Sequence, residues 1–144
     1  MSYIQIWVHC VWGTKRRIAF FNKSNKMQVI NHIRENAIKK DIYIDFLNIQ
    51  KDHVHCLLSL KAGHSIDKDI QLIKGESSFW INKNNIVQGK FAWAEEFFVV
   101  SVSESQVNTV RNYIKNQDEH HRNKTWEEEY NEFIDRFEFK KMSG

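Results

Sequence analysis

Residues 3–12 alternate without a break: Ile4, Ile6, Val8, Cys10 and Trp12 share one parity, and Tyr3, Gln5, Trp7 and His9 share the other. A period of two is the mark of a β-strand. The first parity is wholly apolar and has to be covered, whereas the second is amphipathic. The chain must therefore supply pairing strands and a layer over that apolar face.

A second strand signal is Lys51-Asp52-His53-Val54-His55-Cys56-Leu57-Leu58-Ser59-Leu60. Its second half is an apolar run of strand length. His53 and His55, two residues apart, project from one face with Cα atoms roughly 6.5–7 Å apart. Converging imidazoles at that spacing can share a cation. Residues 42–50 form another strand, and Asn48-Ile49-Gln50-Lys51-Asp52 is short enough to make an antiparallel pair with the histidine strand.

Between these strands the apolar period lengthens. Over 25–40 the positions Met27, Ile30, Ile33, Ala37 and Ile38 have helical spacing, with Ser24 able to cap the start. Ser65 can cap a second long helix with Ile66, Ile70, Ile73, Trp80 and Ile81 on its stripe. Gly75 falls inside that helix, where glycine costs up to about 1 kcal/mol relative to alanine. Close packing on a strand and close approach of a DNA backbone are its two readings. Residues 97–102 form a fourth strand. Ser103 with Gln106, and Thr125 with Glu128, have capping-box spacing for two further helices, the first reaching about His121. The order β-α-β-β-α-β plus two helices is the α+β, ferredoxin-like arrangement. It is an antiparallel sheet with both crossover helices on one face.

At 144 residues and 42% hydrophobic content, the expectation is one domain, 1–144, with a real core. A net charge of +3 is too small for binding nucleic acid by electrostatics alone. No apolar run of about 18 residues suggests a membrane span, and the first residues do not look like a signal peptide. Cys10 and Cys56 lie in apolar runs and read as buried thiols. A cytoplasmic location follows as the expectation. Lys15-Arg16-Arg17 is either a solvated basic patch or a phosphate contact. Lys74 lies on the second helix. In the loop over 84–96, Lys90, Phe91 and Trp93 either form a base-stacking surface or cover the core.

The third helix carries Tyr113-Ile114-Lys115-Asn116-Gln117. Val107, Val110, Ile114 and His121 make its buried stripe. Tyr113 and Gln117, one turn apart, share a flank with His120 beside them. If that flank faces the histidine strand, two imidazoles, an amide oxygen and a phenol converge. A metal on His53, His55 and Gln117 would bind a scissile phosphate and orient it for in-line attack. A phenol has a pKa near 10, and a nearby cation helps it to attack as phenolate. The product would be a covalent phosphotyrosine that keeps the bond energy for rejoining.

Asp52-His53-Val54-His55-Cys56-Leu57-Leu58-Ser59 resembles the His-hydrophobic-His motif of the single-tyrosine transposases. These are the small enzymes of minimal bacterial insertion sequences and the REP-associated tyrosine transposases. The resemblance extends through Val8-His9-Cys10-Val11-Trp12-Gly13-Thr14-Lys15 and Leu72-Ile73-Lys74-Gly75-Glu76-Ser77-Ser78. It continues through Ser101-Val102-Ser103, the stretch from Tyr113 to His121, and Thr125-Trp126-Glu127-Glu128-Glu129-Tyr130. It implies cleavage of single-stranded DNA at the ends of a mobile element with Mg²⁺ or Mn²⁺, leaving a 5′-phosphotyrosine and a free 3′-OH. It also implies a homodimer whose sheets join, and recognition of subterminal DNA hairpins. Tyr113 would be the nucleophile and His53, His55 and Gln117 the metal ligands. His9 and His120 would support that set from behind or pack beside it. Lys15, Arg16, Arg17, Lys74, Lys90 and Trp93 are the candidate DNA contacts. The chain departs from the family pattern at Lys51, at Cys56 and over Ala94-Glu95-Glu96-Phe97-Phe98, where small, glycine-containing sequence is usual.

Two other classes compete. A non-catalytic single-strand-binding module of the same topology would display aromatics on its central strands, and the histidine strand has none. A zinc hydrolase built on His9, His53, His55 and a cysteine has no closed ligand set, because Cys56 points away from the histidines. A transposase domesticated for a housekeeping DNA role would have this same sequence signature.

Overall fold

The computed structural model describes residues 3–117 together with Glu128 and Glu132. The elements follow the expected order. They are β1 (Trp7–Gly13), α1 (Lys26–Lys39), β2 (Tyr43–Ile49), β3 (His53–Ser59), α2 (Ile66–Lys83), β4 (Phe98–Val102) and α3 (Val107–Lys115). Short 3₁₀ turns at Lys15–Arg17 and Glu104–Gln106 follow β1 and precede α3. The four strands form one sheet in the order β2-β3-β1-β4, with every neighbouring pair antiparallel. This is the α+β, ferredoxin-like layout, with β1 and β3 at the centre. The last helix expected from Thr125, and His120 and His121, lie outside the described residues.

Strand parity divides the molecule into two layers. Val8, Cys10 and Trp12 of β1 and Val54, Cys56 and Leu58 of β3 face α1 and α2 in the main core. Cys10 and Cys56 sit opposite each other in the pairing, buried and unbridged. Burial pushes both thiols up, that of Cys56 to about 12. On the other face Trp7, Leu57, Val107 and Ile114 form a second buried cluster, against which Phe46, Val102, Val110 and Tyr113 pack. The helix carrying Tyr113 therefore lies across the face that bears the histidines.

Several local expectations are corrected. In α1 the buried stripe is Val29, Ile30, Ile33 and Ala37, while Met27 and Ile38 are exposed. Ser24 does not cap α1. Asn22 instead accepts from the backbone of Ser24 and Asn25, and Asn25 stands at the cap position. Ser65 occupies the cap position of α2 without a side-chain bond. Ser103 and Gln106 make no capping box, because a 3₁₀ turn separates Ser103 from α3. Trp80 packs against the edge of the main core, as its place on the α2 stripe predicts, and also stacks on His32 at 4.0 Å, where His32 Nε2 meets Glu76 at 2.7 Å. Gly75 is exposed, and a Cβ added there would meet nothing within 4 Å. Packing on a strand therefore does not explain it.

Candidate active site

β3 begins with the two histidines, and alternation places both on the face opposite Val54 and Cys56. Their rings lie 5.1 Å apart at 73°, and both are buried to within 1% exposure. In each, Nδ1 is engaged. That of His53 lies 2.8 Å from the Asp52 carboxylate, and that of His55 lies 3.1 Å from His9 Nε2. The Asp52 carboxylate only accepts, so it favours the proton on Nδ1 of His53 and the lone pair on its Nε2. Both Nε2 atoms are buried inside the site.

His9 joins them through register. On β1 it pairs with Leu57, which makes it a diagonal neighbour of His55, and the two rings stack at 5.3 Å. Its place on the same parity as Trp7 was the sequence signal for this position.

α3 brings the phenol. The Tyr113 ring lies edge-on to His55 at 5.8 Å and to His9 at 6.0 Å. Gln117, one turn on, is fully buried, and its amide nitrogen donates to the Tyr113 carbonyl at 3.2 Å. With the nitrogen so engaged, the amide oxygen is the atom with which Gln117 could hold a cation. Two imidazoles, one braced by a carboxylate, and an amide oxygen suit a divalent cation that keeps open positions. Among the described residues no three His, Cys, Asp or Glu side chains cluster as a metal site, so the set depends on Gln117.

Three contacts outside the expected residues hold α3 in place. Asn48, opposite His55 on β2, donates to the Ile114 carbonyl at 2.8 Å, satisfying an acceptor at the helix C-terminal end. The Trp7 indole donates to Glu104 at 2.6 Å. Arg111 binds both oxygens of Asp45 at 2.7 and 2.9 Å. The β2–β3 register shifts between Ile44 and Phe46, so Asp45 is the extra residue of a bulge. The bulge takes Asp45 out of strict alternation and lets it reach the helix. No sequence pattern marked that contact, since its partners are 66 residues apart.

The remaining candidate contacts fall into two groups. Trp93 is core: it packs on Trp12, Phe21 and Phe91 and donates to Ser77 Oγ at 2.9 Å. Its ring is not offered to a base. The Lys74 ammonium is half-buried and donates to the carbonyls of Ala94 at 2.6 Å and Glu95 at 3.1 Å. Burial lowers its pKa from the ordinary lysine value. Its charge thus fixes the loop before β4. Lys15, Arg16, Arg17 and Lys90 are exposed. Arg16 and Arg17 both adopt the left-handed region, with φ of 59° and 55°. For non-glycine residues this costs roughly 1–2 kcal/mol each. Both line a cleft with Gly13, Thr14, Ala94, Glu96 and Phe98.

A four-stranded antiparallel sheet thus has two helices behind it and a tyrosine helix over paired histidines in front. A profile of the IS200-like transposases matches residues 2–117, and the chain belongs to that transposase family. Among solved structures it is similar to a protein of Deinococcus radiodurans R1 assigned as a transposase. That match has a TM-score of 0.65 and 23% identity, and covers 81% of this chain and 93% of that one. It is also similar to a REP-associated tyrosine transposase bound to a REP hairpin. There the TM-score is 0.64 and the identity 14%, with 84% of this chain and 72% of that one covered. At such identities these likenesses concern the fold. No match was found among curated proteins. No described helix is long and apolar enough to cross a membrane.

Proposed function

We propose that this transposase cuts and rejoins single-stranded DNA at mobile-element ends, using Tyr113 as nucleophile. The observation that carries the reading is the convergence, within one chain, of the Tyr113 ring on His55 and His9 with Gln117 buried beside them. The Tyr113 oxygen attacks the scissile phosphorus in line, forming a Tyr–O–P bond as the P–O3′ bond breaks. The phenol gives up its proton, and the departing oxygen takes one to become a free 3′-OH. The 5′ side stays on the protein as a phosphotyrosine. Attack by another 3′-OH reverses the step, joins a new strand and returns the phenol. No water is consumed, so the bond energy is conserved.

His53, His55 and Gln117 would hold Mg²⁺ or Mn²⁺, which supplies charge withdrawal at the phosphate oxygens. Asp52 orients His53, and His9 orients His55, so both Nε2 atoms keep one direction. The contacts of α3 with β2 fix where the phenol sits. The proposed partners are single-stranded DNA with subterminal hairpins and a second copy of the chain. β2 and β4 each have one strand neighbour among the described residues, which leaves sheet edges for such a dimer.

The test incubates the protein with labelled single-stranded element ends and Mn²⁺ or Mg²⁺. A covalent protein–DNA adduct is expected, and Tyr113→Phe should abolish it. An adduct that survives in Tyr113→Phe would overturn the nucleophile assignment. Absence of any adduct with authentic ends would overturn strand transfer.

A further inference from the structure

The cleft beside Gly13 lies outside the histidine–tyrosine set. We infer that it receives one base of the bound single strand, beside the phosphate that Tyr113 attacks, and that Glu96 makes it selective for guanine. The inference rests on the strand-transfer reading for its location and on the cleft's own side chains for its chemistry.

Location comes from register. Gly13 pairs with His53, so the cleft adjoins the His53 end of the site. Phe98 pairs with Val11, which places Phe98 on the face that carries His9 and His55. α3 packs on Trp7 and Leu57, toward the other end of that face. A strand with its scissile phosphate at the histidines can therefore extend past Gly13 into the cleft, whose volume is about 220 Å³.

The walls are built rather than incidental. Lys15 N–H donates to the Ala92 carbonyl and Ala94 N–H to the Gly13 carbonyl, each at 2.9 Å. Thr14 Oγ1 donates to the Ile18 carbonyl at 2.8 Å, closing the turn that carries both arginines. Behind the other wall, Lys74 grips the carbonyls of Ala94 and Glu95. The two arginines and Glu96 thus stand on a tied frame.

The composition selects the ligand. Phe98 supplies a ring on which a base can stack, and Arg16 and Arg17 supply charge for flanking phosphates. Glu96 would repel a phosphate, so a carboxylate here suits a base. It presents two adjacent acceptors. Guanine alone offers two adjacent donors, N1–H and the exocyclic amino group, on the Watson–Crick edge that a single strand leaves open. Adenine and cytosine place an acceptor beside their amino group, and thymine flanks its one donor with two acceptors.

The test uses Tyr113→Phe protein without metal, so that only binding is read. The probes are labelled thymine-rich single strands carrying one guanine, adenine or cytosine. The guanine strand should bind about tenfold better than the all-thymine strand, the scale of one bidentate base contact. Adding Glu96→Gln, a change at an exposed position, should bring the four strands to within about twofold while binding persists. Adding Phe98→Ala should weaken all four by about tenfold, the scale of one lost stacking contact. A guanine preference that survives Glu96→Gln, or no preference to begin with, overturns the proposal. Adduct formation by wild type, measured in parallel, separates the two readings. Adducts without a guanine preference sink the cleft and keep strand transfer, whereas a Glu96-dependent preference without adducts does the reverse.

Discussion

Ile114→Ala should undock the tyrosine helix while leaving the rest of the sheet intact. Ile114 is fully buried in the small cluster with Trp7, Leu57 and Val107, apart from the main core. Truncating a buried isoleucine to alanine costs about 2–5 kcal/mol. Because this cluster sits beneath a short helix that can shift, about 2–3 kcal/mol is the appropriate part of that range. A helix of nine residues has little stability of its own, so the loss falls on docking. At about 1.4 kcal/mol per factor of ten, the undocked population rises roughly 30- to 150-fold. Native-state hydrogen exchange should report this directly. Amides of α3 should exchange faster by that factor, while those of β3, which the main core protects, keep their wild-type rates. Adduct formation should fall with the docked fraction. If β3 and α3 amides accelerate together, α3 opens only by global unfolding, and the two-layer account is wrong.

Three further outcomes follow from particular side chains. Asp52→Asn removes the carboxylate behind His53 and should weaken Mn²⁺ binding by about 10- to 100-fold in a calorimetric titration; unchanged affinity would remove Asp52 from the site. Gly75→Ala fills open space in α2 and should add about 1 kcal/mol, raising the melting temperature by roughly 2–4 °C. A lower melting temperature would mean that something packs on Gly75, and weaker hairpin binding at higher stability would favour DNA approach. Cys10 and Cys56 are buried, with pKa values pushed up, so a thiol reagent at pH 8 should label neither until denaturant is added. Rapid labelling of the native protein would contradict their placement.

Strand parity carried much of the fold in the sequence. Alternation placed Cys10 and His9 on opposite faces, although β1 begins only at Trp7 and leaves Ile4 and Ile6 exposed, and the H-x-H spacing placed His53 beside His55. The turn of helix between Tyr113 and Gln117 set those two side chains on one flank. Contacts set by irregularity were not legible. The Asp45 bulge breaks alternation, and the Arg111 contact exists only because it does. Cap positions failed for a related reason: Asn22 competes for the backbone groups that Ser24 was expected to serve, and a 3₁₀ turn displaces α3 from Ser103. Trp93 and Phe91 had the right composition for a stacking surface, yet an apolar ring turns inward where the core has room for it. The cleft has no signature in the sequence because Arg16 and Glu96 are far apart in the chain and are brought together by the Gly13–Ala94 and Lys15–Ala92 backbone bonds.

The division of β3 between two layers also bears on how such a protein can change over generations. Val54, Cys56 and Leu58 answer to the main core, whereas in the proposed function His53 and His55 answer to chemistry. Substitutions at one parity are filtered by whether the protein accumulates at all, and at the other by whether a well-folded protein still acts. A lineage could therefore lose the histidines, cease to move DNA and retain the whole scaffold as a binder. The reverse path is closed, because a chain that loses the even-numbered residues has no sheet on which to rebuild the site.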